Sequence, residues 1–179
     1  MTANSTELSG LPLALFILQE VSKQAIGCKV YPQNRTASIS EYPFVSYNIV
    51  VPEIETTGDW LGEDRQYTAV VQLDVHASNQ VQAMRLSETL YEALHDVGYR
   101  RFFKQANILP QNITNTSNRT VLTDQNYDQD FGFDCSFLIN GTKKYDTTQL
   151  NLTYENYDID SVHVTNNNVA GTDLDVSRK

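Results

Sequence analysis

The chain has 179 residues, enough for one domain of ordinary size with its own core but too few for two large domains. Its 22 Asp and Glu residues outnumber 13 Lys and Arg residues, and the net charge of −9 disfavours a protein that binds nucleic acid by neutralising phosphates. The sequence has no apolar stretch long enough to span a bilayer, and Leu11 to Leu18 lacks the basic leader of a signal peptide. We therefore expect a soluble chain that is not exported by that route.

The N-terminal region predicts a flexible arm followed by a helix. Residues 1–10 are polar and rich in Thr, Ser and Asn, which is typical of a loose terminus. Pro12 suits the first turn of a helix, and Gly27 suits the position just after its end near Ile26. Apolar residues recur at helical spacing between them, so this helix should pack on a core.

The next segment predicts a strand and a long hairpin connection. Phe44 to Val51 alternates partly between apolar and polar residues and lies between Pro43 and Pro52. Glu53 to Gln66 then contains turn residues around Trp60. Because long loops on rigid hairpins often contact partners, this connection is a candidate contact surface.

The stretch from Tyr67 to Val97 predicts one strand that runs directly into one amphipathic helix. Odd-numbered positions from Ala69 to Ala77 are apolar, and the alternate positions are mostly polar, as in a half-buried strand. The following helix is predicted from about Gln80 to Val97, with Gly98 as its stop. A strand and a helix that each bury one face form a two-layer unit on which the rest of the chain can be built.

Residues 98–104 combine aromatic and basic side chains. The favoured interpretation is that the cations complement the negative end of the preceding helix while two phenylalanines cover the core. Nucleic-acid binding by so small a patch on an acidic protein is the weaker alternative. The cations are Arg100, Arg101 and Lys104, and the phenylalanines are Phe102 and Phe103.

The C-terminal third predicts one clear strand and a polar extension. Phe131 to Ile139 alternates between apolar and mostly polar residues and should pair antiparallel in the main sheet, after short strands between Ile108 and Leu122. Residues 141–179 contain only weak strand patterns, so they are expected to form a strand pair or to be partly disordered. The predicted domain therefore spans residues 11–140 and belongs to the α/β (α+β) class, with a mainly antiparallel sheet and two main helices packed on it.

The sequence offers no constellation of catalytic or metal-binding residues. His76, His95 and His163 lack the spacing of a metal pair, and His76 is predicted to form a surface pair with Asp74. There is no glycine-rich phosphate loop and no nucleophile elbow. The only cysteines, Cys28 and Cys135, are too few for a disulfide framework and are interpreted as buried reduced thiols. We therefore predict a protein that is not an enzyme and needs no cofactor or metal.

Two compositional features bear on partners. Seven Asn residues precede Ser or Thr with acceptor spacing for N-glycans, a pattern that a chain rich in Asn and Thr also produces by chance. Tyrosines are common, and aromatic residues with polar tips favour surfaces that become buried on assembly. Composition thus indicates a structural or interaction protein, with a glycosylated surface binding module as an alternative and an enzyme as the weakest. The seven acceptors are Asn4, Asn34, Asn112, Asn115, Asn118, Asn140 and Asn151.

The order of these features resembles the bacteriophage neck or tail terminator proteins. The resemblance covers roughly residues 11–140 and is carried by YPFVSYNIV (42–50), VQLDVHASNQVQAMRLSETLYEAL (71–94) and YDQDFGFDCSFLI (127–139). It implies an α/β subunit that assembles as a hexameric ring in the virion neck. Members cap the tail tube, stop its polymerisation and let DNA pass through the bore without sequence-specific contact.

The resemblance also implies which partners to expect. These are other copies of the chain, the tail tube protein, the head-closure or connector protein and the sheath protein, with assembly in the host cytoplasm and no membrane involved. A head-closure or head–tail connector protein is the nearest alternative within phage assembly. The candidate interface residues are Asp59, Trp60, Arg65, Arg100 and Arg101.

Overall fold

A computed structural model describes residues 7–56, 65–123, 126–141, 143–156, 161–164 and 174–177. The helices are α1 (Gly10–Ile26), α2 (Gln80–His95) and α3 (Val97–Gln105), with short 3₁₀ helices at Gln33–Ser38 and Thr147–Gln149. The strands are β1 (Glu7–Leu8), β2 (Val30–Pro32), β3 (Phe44–Glu55), β4 (Gln66–Ala77), β5 (Ile108–Gln111), β6 (Ser117–Asn118), β7 (Val121–Thr123), β8 (Asn126–Asn140), β9 (Tyr145–Asp146), β10 (Ser161–Val164) and β11 (Leu174–Ser177).

The main sheet is mixed but almost entirely antiparallel. Its strand order is β2-β3-β4-β8-β5, and β6 and β7 also pair with β8. Among the strand pairs of the described residues, only β2 and β3 run parallel. The central pair is β4 and β8, which stay in register from Gln66 opposite Asn140 to Ala77 opposite Gln129. The α+β fold predicted from the sequence is therefore confirmed, with β8 paired antiparallel as expected.

One face of the sheet carries the three helices and the main core. The odd-numbered residues of β4, and those of β8 from Phe133 to Ile139, point towards α1, α2 and α3, and most are completely inaccessible to solvent. Such burial of apolar side chains supplies the main free energy that stabilises the domain. The largest buried side chains of this core are Leu13, Ile17, Leu18, Leu73, Leu90, Leu94, Phe102, Phe103, Phe133, Phe137 and Ile139.

The first helix ends as the sequence predicts. Gly27 follows α1 with φ 70°, a left-handed conformation, and its N–H donates to the Lys23 carbonyl at 3.1 Å. Glycine adopts this conformation without the steric cost that a Cβ would impose, so it ends the helix and turns the chain towards β2.

The second helix differs from the prediction that it would run to Val97 and stop at Gly98. It ends at His95, and Asp96 starts α3 by accepting hydrogen bonds from the N–H groups of Gly98 (2.7 Å) and Tyr99 (3.4 Å). Gly98 lies inside α3. A glycine is needed at this position because a Cβ would be only 2.6 Å from the Glu155 carbonyl oxygen. The fold thus has a third helix, and this glycine permits close chain approach.

The segments outside the main sheet pair with each other. Glu7 and Leu8 of β1 pair antiparallel with Asp146 and Tyr145 of β9. In the C-terminal region β10 and β11 form an antiparallel pair from Ser161–Ser177 to Val164–Leu174. Among the described residues, no helix is long and apolar enough to cross a membrane.

Candidate assembly surfaces

A basic cleft lies at the β5 edge of the main sheet, between α3, β5 and the ends of β4 and β8. Its volume is about 590 Å³. Four cations line it, and its apolar walls include Val97, which is 60% exposed, and Leu109, which is 47% exposed. In a chain of net charge −9 this concentration of positive charge beside exposed apolar surface is unusual. We name this surface the α3–β5 cleft, and its cations are Arg100, Arg101, Lys104 and Lys143.

The two arginines of the cleft are held in place by the protein itself. The Arg100 Nη2 group donates to the Pro110 carbonyl oxygen at 2.8 Å. The Arg101 Nη1 group forms an ion pair with the Glu155 carboxylate at 2.7 Å. These contacts tie α3 to β5 and to the chain around Glu155, so the cleft is framed by fixed groups.

The two lysines of the cleft are exposed, and they differ from the arginines in their contacts. Neither Lys104 nor Lys143 has an ion pair within the part of the chain that the structure describes. An exposed ammonium group keeps its hydration, so it contributes little to folding but remains available to an incoming carboxylate.

The third predicted arginine, Arg65, lies on the β3–β4 hairpin. Its guanidinium forms an ion pair with Glu53 across the hairpin, and its Cζ lies 6.0 Å from the centroid of the Tyr67 ring. The other two candidate interface residues, Asp59 and Trp60, lie outside the described residues. The structure therefore brings Arg100 and Arg101 into one cleft and places Arg65 at the base of the hairpin.

The outer half of β3 exposes apolar side chains on the opposite edge of the sheet. Exposed fractions are 40% for Ile49, 51% for Val50 and 48% for Ile54. Strand β2 covers this edge only at Val45–Tyr47, and no described strand pairs with β3 beyond that point on this side. The sheet thus has two chemically different edges, one apolar and one basic.

A polar network that the sequence interpretation missed occupies the sheet face opposite the helices. Arg119 donates from Nη1 to Asp74 Oδ1 at 2.8 Å and from Nη2 to Asp134 Oδ1 at 2.9 Å. Gln72 Nε2 donates to the other Asp74 oxygen at 2.6 Å. Burial lowers the pKa of the Arg119 guanidinium, but the hydrogen bond to Asp134 and the charge of Asp74 outweigh it and raise the pKa overall. The network anchors the chain at Arg119 over the sheet.

The predicted surface pair of His76 with Asp74 is wrong. Both side chains are buried, with His76 only 6% exposed. The His76 Nε2 atom lies 2.9 Å from Ser46 Oγ, and its ring stacks on Phe44 at a centroid distance of 4.6 Å. His76 is thus a packed residue of the second sheet face, where Phe44 and Ser46 of β3 contact it.

Both cysteines are free and buried, as the sequence predicts. Burial raises the pKa of the Cys135 thiol to about 12, although the charge of Arg100 acts in the opposite direction. The folded protein therefore keeps a thiol proton that the unfolded chain releases near the ordinary value of 9.0. No group of three potential metal ligands occurs among His, Cys, Asp and Glu residues of the described ranges.

The Cys135 thiol predicts a stability loss at alkaline pH. Between pH 9 and pH 11 the unfolded state binds fewer protons at this site than the folded state, so the free energy of unfolding should fall as pH rises. The expected contribution of this thiol is a decrease in the free energy of unfolding of about 1.4 kcal/mol per pH unit. Urea unfolding of the wild type and of Cys135→Ala across this pH range measures the contribution of the thiol. The difference between the two proteins isolates it, because their other titrating groups are the same. Parallel curves for the two proteins would contradict the prediction.

A comparison with models of known protein families identifies the family of the chain. The model of one family, described as phage neck terminator protein, matches residues 13–171. The match covers the whole main sheet and most of the C-terminal extension, beyond the residues that carry the sequence resemblance. No curated protein matches the chain. The matched region together with the α+β fold shows that this chain belongs to the phage neck terminator proteins, a structural family of the bacteriophage virion.

Proposed function

We propose that the chain forms a hexameric ring that caps the tail tube in the phage neck, ends tube polymerisation and joins the tail to the head connector. The observation that carries the proposal is the chemical difference between the two edges of the sheet. Ile49, Val50 and Ile54 are exposed at the β3 edge, whereas the opposite edge carries the α3–β5 cleft. Two unlike surfaces on one subunit favour head-to-tail contacts, which close into a ring when the rotation between copies permits.

The charge of the chain supports the passage of DNA through the ring. Each subunit carries a net charge of −9, so a ring of six copies presents a strongly negative field. A bore that repels phosphates lets a genome move through without retaining it, and no sequence-specific contact is needed. The role is structural, with no catalytic step and no cofactor.

The partners follow from this position in the virion. One face of the ring would contact the tail tube protein, the other the head-closure or connector protein, and the outside the sheath protein where the tail has one. The ring would be assembled in the host cytoplasm and remain in the neck of the finished virion.

Native mass spectrometry with negative-stain imaging of the purified protein, alone and with purified tail tubes, tests this proposal. The expected result is a six-subunit ring with a central hole, formed by the protein alone or at the end of the tube. A chain that stays monomeric alone and leaves tube ends bare would contradict it.

The hairpin connection provides a mutational test. Replacing Trp60 with alanine should weaken ring assembly while the subunit stays folded, since large aromatic side chains commonly dominate the free energy of association. Circular dichroism would report folding, and native mass spectrometry would report assembly. Trp60→Phe, which keeps an aromatic ring, is the matched control and should assemble better than the alanine variant. Unchanged assembly of a folded Trp60→Ala protein would exclude this contact.

A further inference from the structure

We infer that the α3–β5 cleft of one subunit receives the acidic segment 53–64, which comprises the last residues of β3 and most of the β3–β4 connection, of the next copy in the ring. This inference rests on the proposed ring and names the surfaces that would hold it together. The cleft combines four cations with exposed apolar surface at Val97 and Leu109. A suitable occupant therefore carries several carboxylates together with apolar side chains.

Residues 53–64 have that composition. The segment contains five acids and no base, and it also contains Trp60 and Leu61. Acidic groups interspersed with a large aromatic residue match a basic cleft with apolar walls in both charge and polarity. The five acids are Glu53, which pairs with Arg65 of its own hairpin, and Glu55, Asp59, Glu63 and Asp64.

Within the described residues, one acid of the same subunit pairs with the cleft, and the two lysines of the cleft have no ion pair. Glu155 pairs with Arg101, and the Asn151 backbone exchanges hydrogen bonds with the Gln105 side chain, so this part of the C-terminal region packs beside α3. Lys104 and Lys143 remain exposed. These two lysines are the groups that an acidic segment from outside would meet.

The proposed head-to-tail ring, in which unlike surfaces of neighbouring copies meet, identifies the next copy as the source of the segment. The cleft also lies beside the end of the connection in its own subunit, because Gln66, the first residue of β4, lines it. The ion pair of Glu53 with Arg65 also holds the base of the connection on its own hairpin. Joining the hairpin of one copy to the cleft of the next uses two different surfaces, as a closed head-to-tail ring requires.

Paired charge reversals test this inference. Lys104→Glu/Lys143→Glu replaces two of the four cations of the cleft with acids, and Glu55→Lys/Glu63→Lys replaces two of the five acids of the segment with bases. Each variant alone removes much of the charge complementarity and places the altered side chains against like charges, so the concentration needed for half assembly should rise at least tenfold. A one-to-one mixture should assemble again, because each altered cleft then meets an altered segment and each unaltered cleft an unaltered one. Such alternation closes in a ring with an even number of subunits.

The matched control is Lys23→Glu/Lys144→Glu, which makes the same charge change at lysines that do not line the cleft. Circular dichroism confirms folding, and sedimentation velocity with native mass spectrometry measures assembly. Variants that assemble like the wild type would overturn the inference but leave the proposed ring intact. Loss of assembly that the mixture does not restore would also overturn the inference. A wild type that forms no ring, either alone or with purified tail tubes, overturns the proposed function instead.

Discussion

Replacing Arg119 with alanine should lower the free energy of unfolding by about 3 kcal/mol, the lower end of the range for removing one partner of a buried ion pair. The lower end applies because the Arg119 side chain is 24% exposed, whereas that of Asp74 is only 5% exposed. The loss arises chiefly from the Asp74 carboxylate, which would remain buried with Gln72 as its remaining described donor. Chemical denaturation near neutral pH measures the change.

Two further variants separate this explanation from general damage. Adding Asp74→Asn to Arg119→Ala removes the buried charge and should restore part of the lost stability. Arg85→Ala removes an exposed arginine on α2 and should change the free energy of unfolding by less than about 0.5 kcal/mol. If Arg119→Ala unfolds at the same denaturant concentration as Arg85→Ala, the network does not stabilise the fold.

Replacing Phe103 with alanine should cost about 3 to 5 kcal/mol, the usual range for truncating a fully buried phenylalanine. Its side chain has no exposed surface, and its ring packs on Phe137 of β8 at a centroid distance of 5.6 Å. Because this contact fixes α3 on the sheet, the variant should also loosen the α3–β5 cleft. Thermal and urea unfolding give the stability, and hydrogen exchange of α3 gives the local effect.

Phe103→Leu keeps most of the buried volume and should cost clearly less, while Val97→Ala changes an exposed residue of the same helix and should stay within about 0.5 kcal/mol. Equal losses for the alanine and leucine variants at Phe103 would mean that the cavity is not the cause. A large loss in Val97→Ala would instead point to an unrecognised contact on the outside of α3.

The fold was largely predictable because its main elements carry strong periodic patterns. The alternation in β4 and β8 and the apolar stripe of α2 follow directly from one buried face on each element. The break between α2 and α3 at Asp96 was harder to predict, because a glycine such as Gly98 commonly ends a helix. In the structure Gly98 instead allows the close approach of Glu155, which is 57 positions away in the sequence and is brought near only by the tertiary fold.

The candidate surfaces were predictable only in part. Arg100 and Arg101 were identified because they are adjacent in a conspicuous basic segment. Lys143 joins them only because β5 pairs with β8, and the same pairing places Leu109 opposite Leu138 in the cleft. The Asp74–Arg119–Asp134 network had a weak signal, since two neighbouring antiparallel strands place acids on the same face and require a cation. Periodicity within one strand could not show which segment supplies that cation.

The irregular outer half of β3 has a consequence for how such subunits associate. Its pairing with β4 shifts register between Ile49 and Val51 and again between Val51 and Ile54, and Pro52 in between lacks an N–H group. A bulged strand with a missing donor is a poor template for the addition of another strand. A neighbour can therefore attach to this edge through side chains without starting open-ended growth of a continuous sheet, which suits the proposed position at the end of the tail tube.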